Sequence, residues 1–262
     1  MAEAVRTITP TYPDLAGRVA VVTGGSKGIG AATCRALVAN AVKVAVVARD
    51  QAGIDFLVQS LKDGGGEAIG VSVNGVNYDE VEGLRHRVED ELGPTDILMP
   101  FAGGFGQMTP VAEITESEWR EVIDSNLTST FFACKSFLPG MMERGRGSIV
   151  TMASNSARNL DVTLTASYAA SKAAIVQFTR HVAKEVGPSG VRVNCIAPAT
   201  TLTERVKRIM NQERIEWMAS LAPLKRIGMP DDSAMAALFL ASDAASWLTG
   251  ITLDVAGGRV MR

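Results

Sequence analysis

One tyrosine and one lysine stand four residues apart in the alanine-rich stretch TASYAASKAAIVQF, residues 165–178. On a helix this spacing puts Tyr168 and Lys172 on one face. A free tyrosine has a pKa near ~10, too high for easy proton exchange at neutral pH, and a nearby ammonium group favours the phenolate. A tyrosine tuned in this way can give a proton to a carbonyl oxygen or take one from an alcohol. The same spacing suits an ordinary helix surface, so the pair alone does not decide its function.

The stretch TGGSKGIG, residues 23–30, predicts a nucleotide-binding turn between a strand and a helix. Gly24, Gly28 and Gly30 permit a tight turn and a close approach of the backbone to a pyrophosphate. The negative charge of that group is favoured at the N-terminus of the following helix.

A hydrolase is the alternative interpretation of the same turn, because residues 24–28 also fit the G-x-S-x-G nucleophile elbow with Ser26 as nucleophile. That chemistry needs a histidine on a later loop. The two histidines, His86 and His181, both fall inside predicted helices, so dinucleotide binding is favoured.

The second predicted strand ends in VVARD, residues 46–50. A carboxylate at the ribose-contact position would bind the 2′-hydroxyl of NAD, but that position holds Ala48, followed by Arg49. Together with Lys27, Arg49 can flank the 2′-phosphate of NADP. We therefore expect a preference for NADP(H) over NAD(H), with two ordinary surface cations as the alternative and Asp50 expected to be solvated.

Apolar runs and helical patterns alternate along the whole chain. Strands are predicted at 18–25, 42–49, 67–73, 96–101, 147–153, 191–197 and 251–255, and helices at 28–40, 52–62, 78–92, 115–142, 166–186, 201–220 and 231–242. Continuous apolar strands between helices indicate a parallel sheet that is covered on both faces. The pattern predicts an α/β fold with one doubly wound sheet of about seven strands, whose ligands bind beyond the carboxyl ends of the strands.

Composition argues against several classes of protein. The 262 residues are 47% apolar and 21% charged with a net charge of −2, which gives no reason to expect a nucleic acid or a membrane surface as partner. Residues 1–14 lack the hydrophobic segment of a secretory signal and are expected to be a flexible lead-in to one domain, 15–262, in the cytoplasm. The three cysteines are far apart without a C-x-x-C, which favours buried thiols and gives no metal site.

Five motifs closely resemble the short-chain dehydrogenase/reductase family, especially its branch of ketoacyl-carrier-protein reductases. They are TGGSKGIG, SNLTSTF, GSIVTMAS, YAASK and VRVNCIAP, in this order, followed by the late stretch ASDAASWLTGITLDVAGG. The resemblance runs from about residue 15 to the end. It implies a Rossmann fold, a nicotinamide cofactor and a homotetramer.

The resemblance also assigns roles by position. Tyr168 matches the acid/base, Lys172 would bind the nicotinamide ribose and lower the tyrosine pKa, Ser154 would bond the substrate oxygen, and Asn126 would hold a water between Lys172 and solvent. Besides Tyr168 and Lys172, the residues expected to bind the cofactor are Gly24, Ser26, Lys27, Gly28, Ile29, Gly30, Arg49, Asn74, Gly75, Ala102, Gly103, Pro198, Thr201 and Thr203.

Three departures from the family pattern affect the cofactor site. The usual N-N-A-G after the fourth strand is P-F-A-G, residues 100–103, so the strand-tying contacts of the asparagines must be made by other groups. Asn74 stands where an aspartate usually meets the adenine amino group, and its oxygen can still accept that bond. Pro198 is followed by Ala199 where the family has glycine.

The substrate serine is ambiguous by one residue. Ser154 precedes Tyr168 by fourteen residues, one more than the branch leads us to expect, and Ser156 is the alternative at twelve. We favour Ser154 because it directly follows the predicted strand; Asn155 has the expected spacing but the wrong chemistry.

The substrate pocket is expected between three variable stretches, 103–108, 155–165 and 200–224. Arg158 or Arg205 can meet an acidic substrate group there, with a solvated surface as the alternative for each. The sequence thus favours an NADP(H)-dependent carbonyl reductase or alcohol dehydrogenase acting on a small molecule. A catalytically silent nucleotide-binding relative, acting as sensor or partner protein, is the other class.

Overall fold

The computed structural model describes residues 9–159 and 164–261. Seven strands form one parallel sheet in the order β3-β2-β1-β4-β5-β6-β7. They are β1 (Val19–Thr23), β2 (Lys43–Ala48), β3 (Ala68–Ser72), β4 (Ile97–Pro100), β5 (Gly147–Met152), β6 (Val191–Pro198) and β7 (Thr252–Val255). The predicted doubly wound sheet is confirmed, and the strand order reverses at β1, which lies between β2 and β4.

Helices of the described residues cover both faces of this sheet. They are α1 (Gly28–Val38), α2 (Gln51–Asp63), α3 (Tyr78–Glu91), α4 (Glu116–Ile123), α5 (Ser129–Glu143), α6 (Ala166–Val186), α7 (Glu204–Ile209), α8 (Gln212–Ser220) and α9 (Pro230–Ala241). On one face α1 packs against α9, and on the other α3 packs against α5.

Alternating side chains of each strand enter two separate cores. In β1, Ala20 and Val22 belong to the core beneath α1 and α9, whereas Val19 and Val21 belong to the core beneath α3 and α5. Both sets are buried, which is why β1 is apolar at every position from Val19 to Val22. The sheet is thereby a rigid support whose carboxyl edge holds the loops of interest.

The single helix predicted over 115–142 is wrong in detail. A π-helical turn, Asp124–Thr128, separates α4 from α5. Within and after it, the Ser129 hydroxyl donates to the Ser125 carbonyl at 2.7 Å and the Thr130 hydroxyl donates to the Asn126 carbonyl at 2.7 Å. Such turns place one extra residue in the helix and often occur at functional sites, and this one turns Asn126 into the molecule.

The predicted helical stretch 201–220 is likewise two helices. Thr203 caps α7 and Asn211 caps α8, each accepting a backbone N–H with its side-chain oxygen. Side chains that accept such bonds begin helices, so the second cap breaks the stretch in two.

The lead-in is bonded to the domain where it is described. The Asn40 side chain accepts from the backbone of Tyr12 at 2.7 Å and donates to the carbonyl of Pro10 at 3.0 Å, and Leu15 is fully buried. The boundary at residue 15 stays a prediction, and residues 1–8 of the lead-in lie outside the described residues. Among the described helices, none has the length and apolar character needed to cross a membrane.

Candidate active site

Tyr168 and Ser154 meet at the carboxyl edge of the sheet. Ser154 follows β5 by two residues, and Tyr168 lies in the first turn of α6, which Thr165 caps. The hydroxyl of Ser154 is close enough to that of Tyr168 to lower the pKa of the tyrosine, and it donates to the Asn155 side chain at 3.3 Å. Ser156 donates its backbone N–H to Ser154 Oγ at 3.2 Å, while its own hydroxyl is buried without a hydrogen-bond partner among the described residues. Of the two serines left open by the sequence, the structure thus brings Ser154 to the tyrosine.

The hydroxyl of Tyr168 is governed first by its burial. Burial raises its pKa above the ordinary value, and the nearby Ser154 hydroxyl and the positive charge of Arg205 act in the opposite direction. The sequence predicts a lowered pKa with Lys172 as the cause; in the structure desolvation outweighs the charges. Tyr168 is therefore protonated at neutral pH and ready to donate.

Lys172 lies one helical turn beyond Tyr168 and is 3% exposed. Its ammonium donates a hydrogen bond to the Met152 carbonyl at 2.9 Å and lies 5.6 Å from the centroid of the Tyr168 ring. Burial lowers the pKa of Lys172 to about 8. A lysine in this environment remains charged at neutral pH but exchanges its proton more readily than a lysine in water.

Asn126 is fully buried and holds the loop that follows β4. Its amide donates to the carbonyls of Gly104 and Val122, both at 2.8 Å, and its oxygen accepts from the Gly104 N–H at 3.2 Å. A Cβ at Gly103 would come 2.3 Å from the same oxygen. The contacts seen for Asn126 are thus with this loop, and its water-holding role stays a prediction.

The glycine turn leaves no room for larger side chains. A Cβ at Gly24 would meet the backbone of Phe101 and Ala102 at 3.0 Å, and one at Gly30 would meet the Gly24 carbonyl at 2.2 Å. At Gly28 it would lie 3.0 Å from Thr203. The open cradle at the N-terminus of α1, with Ser26, Lys27 and Ile29 in the same turn, suits a dinucleotide pyrophosphate.

Thr23 is a residue that the sequence argument missed. Its hydroxyl accepts a hydrogen bond from the Ala102 N–H at 3.1 Å and so ties the end of β1 to the chain after β4. This bond supplies a contact between neighbouring strands that the altered P-F-A-G motif no longer makes. The sequence feature that could have identified Thr23 is a hydroxyl side chain at the end of the strand next to a motif that lacks its usual asparagines.

The cations at the end of β2 are not equivalent. The ammonium of Lys27 pairs with the carboxylate of Asp50, which also caps α2. The hydrogen bond and charge of Lys27 hold the pKa of Asp50 below its ordinary value. Arg49 is exposed beside them and its guanidinium has no ion-pair partner in the described parts of the chain. The sequence predicts a solvated Asp50, but in the structure it pairs with Lys27. A 2′-phosphate would therefore have to compete with Asp50 for one of the two cations predicted to bind it.

The remaining predicted cofactor residues also lie past strand ends. Asn74 is exposed after β3 with Gly75 beside it, and Pro198 ends β6. Thr201 donates its hydroxyl to the Ala199 carbonyl at 3.0 Å, and Thr203 begins α7 against the glycine turn.

The hydrolase interpretation finds no support. His86 is exposed on α3 next to Arg85, and His181 is exposed on α6 beside Glu185, 4.0 Å away. Both histidine side chains lie on exposed helix surfaces, so neither is placed to act as a base for Ser26. The elbow sequence is part of the glycine turn.

The two arginines considered for the pocket differ in their partners. Arg158 is paired with Asp254 of β7 at 3.1 Å. Arg205 lies over the ring of Phe105, with 4.1 Å between the guanidinium carbon and the ring centroid, and Phe105 meets Tyr168 edge-on at 6.3 Å. Residues 160–163 of the predicted pocket wall lie outside the described residues.

Comparison with known proteins gives a consistent result. A family model described as enoyl-(acyl carrier protein) reductase matches residues 24–259. The chain is 36% identical to the 3-oxoacyl-(acyl-carrier-protein) reductase of Vibrio cholerae over 248 residues, 95% of this chain and 99% of the relative.

Two solved structures are similar over nearly their whole length. A 3-oxoacyl-(acyl-carrier-protein) reductase with bound NAD from Brucella melitensis has a TM-score of 0.88 at 32% identity, covering 99% of both chains. A 7α-hydroxysteroid dehydrogenase complexed with NADH and 7-oxo glycochenodeoxycholic acid has a TM-score of 0.90 at 33% identity, covering 96% of this chain and 97% of that one.

Proposed function

Because the chain belongs to the short-chain dehydrogenase/reductase family, in the branch similar to 3-oxoacyl-(acyl-carrier-protein) reductases, we propose that it is an NADP(H)-dependent reductase of ketones with Tyr168 as acid/base. It is an oxidoreductase of the hydride-transferring kind, and a nicotinamide dinucleotide is its cofactor. The preference for NADP(H) and the roles of single residues are the new elements of the proposal.

The observation that supports this function best is the proximity of the Ser154 and Tyr168 hydroxyls, with the buried Lys172 one helical turn beyond the tyrosine. The bound nicotinamide supplies the hydride that reaches the carbonyl carbon. Ser154 and Tyr168 both direct a hydroxyl at the position of the carbonyl oxygen, and Tyr168 transfers its proton to that oxygen as the alcohol forms. Lys172 then stabilises the tyrosinate through its charge until a proton returns from solvent.

The glycine turn would hold the pyrophosphate, and Arg49 would select the cofactor. Lys27 is engaged by Asp50, so a 2′-phosphate must compete for it, whereas Arg49 is exposed without an ion-pair partner in the described ranges. A guanidinium binds phosphate through two hydrogen bonds. We therefore assign most of the preference for NADP(H) over NAD(H) to Arg49.

The test follows cofactor absorbance while the purified protein is mixed with NADPH or NADH and a panel of ketones, including 3-oxoacyl thioesters. We expect turnover with NADPH, reduced by about 10²- to 10⁴-fold or more in Tyr168→Phe, since general acid catalysis is worth that much. Cofactor binding by the variant, measured by fluorescence titration, should be unchanged.

Two results would count against this function. Turnover that persists in Tyr168→Phe would remove the tyrosine from the mechanism. Tight NADPH binding without reduction of any ketone would favour the silent nucleotide-binding relative.

We also propose a cytoplasmic homotetramer. Large apolar side chains are exposed on the protomer, with Trp247 98% exposed and Phe131 of α5 43% exposed, as expected for surfaces that meet other subunits. All three cysteines are buried free thiols, which suits a reducing compartment. Light scattering after size-exclusion chromatography measures the assembly, and cell fractionation the location.

A further inference from the structure

Arg205 is held at the active site by an aromatic ring. It is the second residue of α7, and its guanidinium lies over Phe105 at 4.1 Å from the ring centroid. Phe105 in turn stands edge-on to Tyr168, with 6.3 Å between ring centroids and 88° between planes. A guanidinium stacked on a ring keeps a fixed direction while its N–H groups stay available.

The loop after β4 is shaped around this side chain. A Cβ at Gly104 would lie 2.9 Å from a terminal nitrogen of Arg205, so the guanidinium packs directly against this loop. The same Gly104 is fixed on its other side by Asn126 through two hydrogen bonds. The position of the guanidinium is therefore set by residues of the site itself.

Arg205 is exposed and has no carboxylate partner among the described residues, whereas two half-buried arginines each have one. Arg158 pairs with Asp254 at 3.1 Å, and Arg226 binds Asp232 through two bonds of 2.6 and 2.7 Å. The charge of Arg205 acts on Tyr168, because it lowers the pKa of the tyrosine against the effect of burial. An uncompensated cation beside the reacting hydroxyl is suited to an anion that arrives with the substrate.

We propose that Arg205 binds a carboxylate of the substrate, and hence that the protein reduces short oxo acids to hydroxy acids. This rests on the proposed function. The reaction balances with one hydride to the carbonyl carbon and one proton from Tyr168 to its oxygen, while the carboxylate is unchanged. Arginine suits the task because its planar fork matches a carboxylate with two hydrogen bonds.

A phosphate of the cofactor is the other candidate anion for Arg205, and the contacts of the guanidinium favour the substrate. Thr203 faces the glycine turn, where it would lie 3.0 Å from a Cβ at Gly28. Arg205 instead lies over Phe105 and beside Gly104 of the loop after β4, and Phe105 meets Tyr168 edge-on. The guanidinium is therefore on the side of Tyr168.

The test uses two pairs of probes that differ only in charge: 2-oxobutanoate with its methyl ester, and acetoacetate with its methyl ester. For each, kcat/KM is measured with NADPH in the parent protein, in Arg205→Gln and in Arg208→Gln. Arg208 is an exposed arginine of the same helix and is the matched control. We expect the parent to prefer the acids, and Arg205→Gln to lose about 10- to 100-fold on the acids, as hydrogen bonds to a charged group suggest.

For the esters, kcat/KM should change by less than about threefold in Arg205→Gln. In the control variant Arg208→Gln, kcat/KM should be unchanged for both acids and esters. Equal losses on acids and esters, or no acid preference in the parent, would overturn the proposal while leaving the ketone reductase intact. A raised KM for NADPH with unchanged acid-to-ester ratio would assign Arg205 to the cofactor and also overturn it.

Calorimetry gives a readout that needs no turnover. Acids and esters are titrated into the protein mixed with NADP⁺, with which neither can react by reduction. Tighter binding of the acids that disappears in Arg205→Gln supports Arg205 as the carboxylate contact independently of the turnover assay, and equal binding of acids and esters contradicts the proposal.

Discussion

Replacing Lys172 with methionine should make the protein more stable while abolishing its activity. The lysine is 3% exposed, and burial lowers its pKa from 10.5 to about 8. At about 1.4 kcal/mol for each pKa unit, keeping this group charged in the folded protein at pH 7 costs roughly 3 kcal/mol. Methionine has a similar length and no charge, but it leaves the Met152 carbonyl without its donor, at about 1–2 kcal/mol. The expected net gain at pH 7 is about 1–2 kcal/mol.

The pH dependence of this gain is the sharper part of the prediction. Because the pKa of Lys172 is lower in the folded than in the unfolded chain, the unfolded chain binds more protons between about pH 8 and pH 10.5. The stability of the parent protein therefore rises with pH across that window. Below it the penalty is fully present, since the lysine is charged in both states. The advantage of Lys172→Met should shrink by about 2 kcal/mol between pH 7 and pH 9.5.

Urea unfolding followed by circular dichroism, at several pH values and without added cofactor, measures the difference in the free energy of unfolding between Lys172→Met and the parent protein. Lys184→Met is the control, because Lys184 is an exposed lysine of the same helix and should show no such dependence. An advantage of Lys172→Met that is constant with pH, or that grows above pH 8, would refute the argument that desolvation of the lysine is the cause.

Two further substitutions test the assignment of single residues. Ser154→Ala should lower turnover by about 10²-fold or more, because it removes the hydroxyl next to that of Tyr168, whereas Ser156→Ala should remain near the parent rate. The opposite order in steady-state kinetics would move the substrate contact to Ser156. Arg49→Ala should reduce the ratio of kcat/KM for NADPH over NADH by about tenfold, since a charge-assisted contact to the 2′-phosphate is lost, while Lys62→Ala on α2 leaves the ratio unchanged. An unchanged ratio in Arg49→Ala contradicts the assignment.

Periodicity was sufficient to predict the sheet. The strands are mostly apolar because both faces are covered, and each of the first six is followed by a helix, so their number and type could be predicted. The breaks in the helical stretches could not. The π-helical turn at Asp124–Thr128 arises from side-chain bonds to the backbone and from the fit of Asn126 to Gly104, contacts between segments far apart in the chain.

The residues of the site were predictable by type, but their pairings were not. The spacing from Tyr168 left Ser154 and Ser156 open, and only the path of the chain after β5 shows which hydroxyl meets the tyrosine. The sequence also gave no sign that Lys27 would pair with Asp50, since the two residues belong to different strand–helix turns. Pairings of this kind depend on the distance between loops, which a motif does not specify.

The environment of Tyr168 favours donation over acceptance of a proton. Burial raises the pKa of the tyrosine, and the Ser154 hydroxyl and the charge of Arg205 oppose this effect. A substrate carboxylate bound by Arg205 would neutralise that charge and raise the pKa of the tyrosine further. Reduction consumes the protonated form of the tyrosine. A bound oxo acid would therefore favour the protonation state of Tyr168 that its own reduction requires. The reverse reaction, in which a hydroxy acid must give its proton to tyrosinate, would be correspondingly harder at neutral pH than the oxidation of a neutral alcohol.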